Sequence, residues 1–170
     1  MTQRLFYSLA NKWGLFFFSL LLLFSACEKK SLEKGDKAPD FLLMDIDGKP
    51  YSLAEQKGNV VVLEFWATWC GPCKDSIPDL VSLHERYKDK GVAIFGLSVD
   101  EDVSSLKTFV EAYSIPYRIL YDDKNISRLY KVGSIPSTFV IDKKGRVMGK
   151  HSGYLPNMFE ILSKEIEVGL

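Results

Sequence analysis

Cys70 and Cys73 are the residues best equipped for chemistry in this 170-residue chain. Only Gly71 and Pro72 separate them, so both thiols fall within one turn of a helix that begins there. A helix start presents free N–H groups and about half a positive charge. That field favours a thiolate on Cys70, and the thiolate is the reactive form of cysteine. Cys73 can then attack a mixed disulfide held on Cys70 and release the product. Gly71 permits the tight turn, and Pro72 suits a first helical turn, where its missing N–H would have had no partner. Other chemistries fit poorly. A zinc site needs two more ligands, and Cys27, His84 and His151 have no metal-like spacing. Haem attachment needs a histidine directly after the second cysteine, where Lys74 stands. A peroxidase cysteine would normally lack a partner three residues away. The expected chemistry is dithiol–disulfide exchange through a redox-active Cys70–Cys73 disulfide, with no bound cofactor and no metal.

The elements that must position this pair can be read around it. Val60 to Trp66 is a continuous β-branched and aromatic run, the pattern of a strand buried on both faces. It delivers the chain to the dithiol. Cys70 to Lys90 follows with helical spacing at Ile77, Leu80, Val81, Leu83, His84 and Tyr87, interrupted by Pro78. Further along, strands are predicted over 92–99, 117–121, 137–142 and 146–151. Helices are predicted over 102–113, 126–130 and 156–168. Asp47-Gly48 marks a hairpin between 39–44 and 49–53. Alternating strands and helices in the middle predict parallel pairing, and the closing hairpin predicts an antiparallel edge. Glu64 is an acid inside the buried strand, six residues before Cys70. An isolated buried carboxyl is costly to ionise, and the alternative is a Glu64 that faces solvent at the strand end.

The N-terminus reads as an address. Arg4 and Lys12 precede an apolar run, Trp13 to Ala26. As a helix this run spans about 21 Å at 1.5 Å per residue, less than the roughly 30 Å hydrocarbon core. A cleaved signal peptide is favoured over an uncleaved transmembrane helix. The run ends in Phe24-Ser25-Ala26-Cys27, which resembles a bacterial lipobox with Cys27 as the acylated residue, although Phe24 stands where Leu is usual. The expected organisation is a signal peptide or membrane anchor over 1–26, a flexible tether over 27–38 and a folded domain over 39–170. Acidic and basic residues balance at 22 each, so nothing points to a nucleic-acid surface.

Trp69-Cys70-Gly71-Pro72-Cys73 resembles the thioredoxin active-site motif. The flanks, Gly35-Asp36-Lys37-Ala38-Pro39-Asp40-Phe41 and Phe65-Trp66-Ala67-Thr68-Trp69, resemble the TlpA/ResA-like branch of the redoxin (AhpC/TSA) superfamily, as does Gly96-Leu97-Ser98-Val99-Asp100. The likeness covers roughly 35–166. It implies an α/β thioredoxin fold: a mixed central sheet flanked by helices on both faces, an N-terminal β-hairpin and an inserted helix–strand segment over 102–121. Val132 to Phe139 looks like the family's cis-proline loop. That implies a cis Ile135–Pro136 bond and an Ile135 backbone that pairs with a client peptide beside Cys70, in a surface shared with Trp69, Gly71 and Pro72. In thioredoxins an acid at the position of Glu64 accepts the proton of the second cysteine; here it is Glu rather than Asp.

The resemblance implies an extracytoplasmic, membrane-anchored thiol:disulfide oxidoreductase in a bacterial envelope. It would reduce disulfides of client proteins, with apocytochrome c maturation a leading use, and draw electrons from a membrane donor. The alternatives are an oxidase or isomerase that makes disulfides, and a non-catalytic thioredoxin-fold protein for binding or metal delivery.

Overall fold

Strand β3 (Val60–Trp66) is buried at every position and is the central strand of the main sheet. In this computed structural model, residues 31–123 and 125–170 are described. The leader and Cys27 lie outside them. Before β3 come β1 (Leu42–Met44), β2 (Pro50–Ser52) and a 3-10 turn (Leu53–Gln56). After it come α1 (Gly71–Tyr87), β4 (Val92–Ser98), α2 (Val103–Ala112), β5 (Arg118–Tyr121), α3 (Ile126–Leu129), β6 (Ser137–Ile141), β7 (Val147–Ser152) and α4 (Met158–Gly169). The main sheet has the order β5-β4-β3-β6-β7. β3 pairs parallel with β4, and β4 with β5. β3 pairs antiparallel with β6, and β6 with β7. The mixed sheet follows from the connections: helices separate β3, β4 and β5, whereas a short turn joins β6 to β7.

Alternation along β3 divides the core. Val60, Val62 and Trp66 face α1, α2 and α4, packing with Ile77, Leu80, Leu83, Leu106, Val110, Leu162 and Ile166. Val61, Leu63 and Phe65 face Phe41, Leu43, Tyr51, Ile126 and Tyr130. The three longer helices therefore share one face. The other is closed by the hairpin, the 3-10 turn and one-turn α3. Each fully buried side chain of this size contributes about 1.5–3 kcal/mol, which fixes the register of the strand that carries Glu64.

The hairpin forms a separate two-stranded sheet, shorter than the sequence suggests. Its turn is tied by the Asp45 carboxylate, which accepts the N–H groups of Asp47 and Lys49 at 3.0 and 2.8 Å. One expectation needs correction. The described part of the supposed tether lies against the domain. Gly35 N–H donates to Val147 O, Val147 N–H to Asp36 O, and Ala38 N–H to Gly145 O, at 2.8–2.9 Å. Leu32 and Ala38 are buried. A short charged segment read as linker because its two buried apolar residues are too few to show a period, yet its backbone extends the edge next to β7. The folded part begins by Leu32, earlier than Pro39.

Candidate active site

The dithiol sits where β3 hands the chain to α1. Ala67 to Trp69 make the turn, and Cys70 N–H donates to Ala67 O at 3.2 Å. Cys70 is the N-cap of α1, with Pro72 in the first turn. Cys70 and Cys73 are joined in a disulfide with their Cα atoms 5.3 Å apart. The backbone N–H of Cys73 donates to Cys70 Sγ at 3.2 Å. A helix N–H is thus aimed at Cys70 Sγ, a placement that would favour negative charge there in the reduced pair. Cys70 is 6% exposed and Cys73 fully buried, so an incoming sulfur meets Cys70. Trp69 beside it is 68% exposed, and Gly71 and Pro72 are exposed as well.

The turn is held from below by Asp100. Its carboxylate accepts the Thr68 N–H at 3.0 Å, the Thr68 hydroxyl at 2.7 Å and the Ser98 hydroxyl at 2.6 Å. Asp100 itself is buried. This clamp ties the C-terminal end of β4 to the residues that present Trp69 and Cys70. In the sequence Ser98 and Asp100 stand out only as part of the family resemblance. A polar Ser-x-Asp pair at the carboxyl end of a central strand was the available signal, since α/β sites gather there.

Glu64 is 2% exposed, which rules out a solvent-facing position. It points to the α1 side of the sheet, in register with Gly96 on β4 and Thr138 on β6. Burial pushes its carboxyl up to about 8, against a hydrogen bond from Ser76 that lowers it. Ser76 Oγ lies 2.8 Å from Glu64 Oε1 and 2.8 Å from the carbonyl oxygen of Cys73. Ser76 went unmarked in the sequence. Its signal was a polar residue on the buried stripe of a helix, three positions after Cys73.

Trp66 is buried. Its indole crosses Gly96 so closely that a Cβ there would lie 2.7 Å from Nε1, and it packs on Phe109 with ring centroids 5.5 Å apart. The Ile135–Pro136 peptide is cis. Pro136 is buried, its carbonyl accepts the Gly153 N–H at 2.8 Å, and Ile135 packs against the core cluster that contains both cysteines. A cleft of about 590 Å³ lies elsewhere, beside the N-terminal half of β4, lined by residues including Lys49, His84, Tyr117 and Arg118. It contains neither cysteine. Among the described residues no group of three or more His, Cys, Asp or Glu side chains is placed to hold a metal ion.

Comparison with known proteins agrees with this geometry. The model of the AhpC/TSA family matches residues 34–150. The thiol-disulfide oxidoreductase ResA of Bacillus cereus is 39% identical over 127 residues, covering 74% of this chain and 73% of its own. The thioredoxin-like protein YneN of Bacillus subtilis is 36% identical over 135 residues, covering 77% and 79%. A crystal structure assigned as the thiol:disulfide interchange protein DsbE of Chlorobium tepidum superposes with a TM-score of 0.77 at 36% identity, over 82% of this chain and 99% of that one. A Cys70–Cys73 pair at a helix start, on a thioredoxin-type sheet and with such relatives, leads to one assignment: the chain belongs to the AhpC/TSA family and is a thiol-disulfide oxidoreductase.

Proposed function

We propose that the protein reduces disulfides in client proteins on the outer side of a bacterial membrane. The observation that carries this reading is the arrangement of the two sulfurs: Cys70 at the helix cap, 6% exposed beside the exposed Trp69, Gly71 and Pro72, and Cys73 fully buried behind it. The Cys70 thiolate attacks one sulfur of a client disulfide. The client S–S bond breaks, its other sulfur leaves as a thiolate and takes up a proton, and a mixed disulfide remains. Cys73 gives its proton to the Glu64 carboxylate and attacks Cys70 Sγ. The Cys70–client bond breaks as the Cys70–Cys73 disulfide forms. Two electrons have passed from the dithiol to the client, which ends as two thiols. Glu64 suits the acceptor role because its value of about 8 is close to that of an ordinary thiol, about 8.5, so transfer between them is nearly balanced.

The client is taken to lie across Trp69, Gly71 and Pro72, with its backbone along Ile135 beside Pro136 as an added strand. The family resemblance favours clients with closely spaced cysteine pairs, among them the haem-attachment pair of apocytochrome c. A membrane electron donor resets the dithiol, since an oxidising compartment would not. The leader Met1 to Ala26 and the lipobox-like Cys27 support attachment to the membrane through a lipid on Cys27, in preference to an uncleaved N-terminal helix. Among the described residues no helix is long and apolar enough to cross a membrane.

Cys73→Ser removes the resolving sulfur and should trap clients as mixed disulfides on Cys70 in cells. Recovery of extracytoplasmic cysteine-pair proteins supports the reading, and the absence of any disulfide-linked client contradicts it. Mass spectrometry of the mature protein tests the anchor: an acylated Cys27 terminus is expected, and a retained Met1 would replace the lipid with a transmembrane helix.

A further inference from the structure

We propose that Ser76 is a positioning residue for the dithiol: its hydroxyl links the Glu64 carboxyl to the backbone of Cys73 and sets when Glu64 can take up a proton. The inference rests on the reading of Glu64 as the proton acceptor. Ser76 lies on the inner stripe of α1 with Cys73, Ile77 and Leu80, a stripe otherwise built to pack on the sheet. At 3% exposure it is closed off from bulk solvent. Its oxygen stands 2.8 Å from both Glu64 Oε1 and Cys73 O.

A hydroxyl has one hydrogen to give and lone pairs that accept. When Glu64 is ionised, both neighbours of Ser76 are acceptors, and the hydrogen goes preferentially to the carboxylate because a charged acceptor binds it more strongly. When Glu64 is protonated, its own O–H donates to Ser76 Oγ, and the Ser76 hydrogen is free for the Cys73 carbonyl. Every group in the row is then satisfied. Protonation of Glu64 is thereby coupled to a hydrogen bond in the first turn of α1, at the residue whose thiol supplies the proton. As Cys73 gives up its proton and bonds to Cys70 Sγ, Glu64 becomes neutral and the Ser76 hydrogen turns from Glu64 to Cys73 O. The same hydroxyl favours the ionised acceptor beforehand, partly offsetting the burial that holds Glu64 near 8.

The other groups facing Glu64 leave this coupling legible. Its sheet neighbours in register, Gly96 and Thr138, carry no charge. Tyr117, from the segment before β5, interacts with Glu64 electrostatically, and burial together with that charge holds its phenol protonated well above the ordinary range. In the oxidised protein Cys70 and Cys73 do not titrate.

The test uses the full-length oxidised protein carrying carboxyl-labelled glutamate, with Glu64 titrated by carbon-13 NMR in the wild type, Ser76→Ala and Ser76→Thr. Loss of one charge-assisted hydrogen bond should move the Glu64 midpoint of Ser76→Ala upward by about one pH unit. Ser76→Thr keeps a hydroxyl and should return it to the wild-type position. The pH profile of insulin reduction should shift upward in Ser76→Ala and recover in Ser76→Thr, which a purely structural loss would not reproduce. An unmoved Glu64 midpoint in Ser76→Ala, or an equal shift in Ser76→Thr, overturns the role of Ser76. A midpoint that moves while the activity profile stays fixed, with Glu64→Gln also leaving the profile unchanged, overturns instead the reading of Glu64 as proton acceptor.

Discussion

Reduced Cys70 is expected to react with iodoacetamide well before Cys73. The Cys73 N–H aimed at Cys70 Sγ favours the thiolate there, and Cys73 is fully buried. Mass spectrometry of briefly alkylated protein checks this, and equal or reversed labelling would overturn the division of roles. Glu64 leads to a second expectation. Its folded-state value of about 8 lies above the ordinary 4.5. Between these values the folded state therefore binds more protons than the unfolded one. The stability from a neutral Glu64 is complete below pH 4.5 and is lost as pH rises through 8. The loss over that window should amount to a few kcal/mol. Glu64→Gln should flatten it, so that urea midpoints at pH 5 and pH 8 lie closer together than in the wild type. An unchanged gap would mean that Glu64 does not titrate in this range. The two cysteines were legible from their spacing and from the lack of zinc ligands or a following histidine around them. Ser76 was not, because a buried serine in a helix looks like an ordinary small residue until its two partners are placed around it.

At the scale of elements, the turn between β3 and α1 depends on two close fits that sequence periodicity does not display. One is the Asp100 clamp on Thr68 and Ser98. The other is the passage of the Trp66 indole over Gly96. A Cβ at position 96 would lie 2.7 Å from Trp66 Nε1 and 2.6 Å from Ile119 Cδ1. The Ile119 methyl can swing away, but the rigid indole must shift bodily. Gly96→Ala is therefore expected to cost about 1–3 kcal/mol and to change the Trp66 fluorescence. Wild-type stability with an unchanged spectrum would show that the contact is slack. The long elements were readable because their patterns are strong: β3 and β4 are near-continuous apolar runs, and α1 has a clear buried stripe. The hairpin strands came out shorter, since Asp45 and the loop after Met44 take up backbone groups that the turn signal alone left to strands. The segment before Pro39 is folded without showing it in sequence, for the opposite reason. Its pairing with residues 145–147 is made by backbone atoms, which side-chain patterns do not report.

For the whole molecule, the direction of electron flow is the property that decides what the protein does. A fold that strongly stabilises the Cys70 thiolate makes an oxidant, as in DsbA at about −120 mV, whereas thioredoxin lies at about −270 mV. This chain places the thioredoxin pair Gly71-Pro72 between its cysteines, with no histidine there to add stabilisation. Beneath the first turn of the helix it buries Glu64, a carboxyl pushed up to about 8 and so mostly neutral at pH 7, which supplies no positive charge to hold the thiolate. The helix cap and the Cys73 N–H favour the thiolate, but nothing else in the described surroundings adds a buried cation to drive it further. The protein is therefore expected to be a reductant. The most direct measurement is equilibration of the full-length protein with glutathione redox buffers at pH 7, with the Cys70–Cys73 dithiol quantified by alkylation. About 30 mV is a tenfold change for a two-electron couple, so the two outcomes are well separated. A potential nearer thioredoxin than DsbA is expected; a value above about −150 mV would contradict the reductant reading and make the protein a disulfide-forming oxidase.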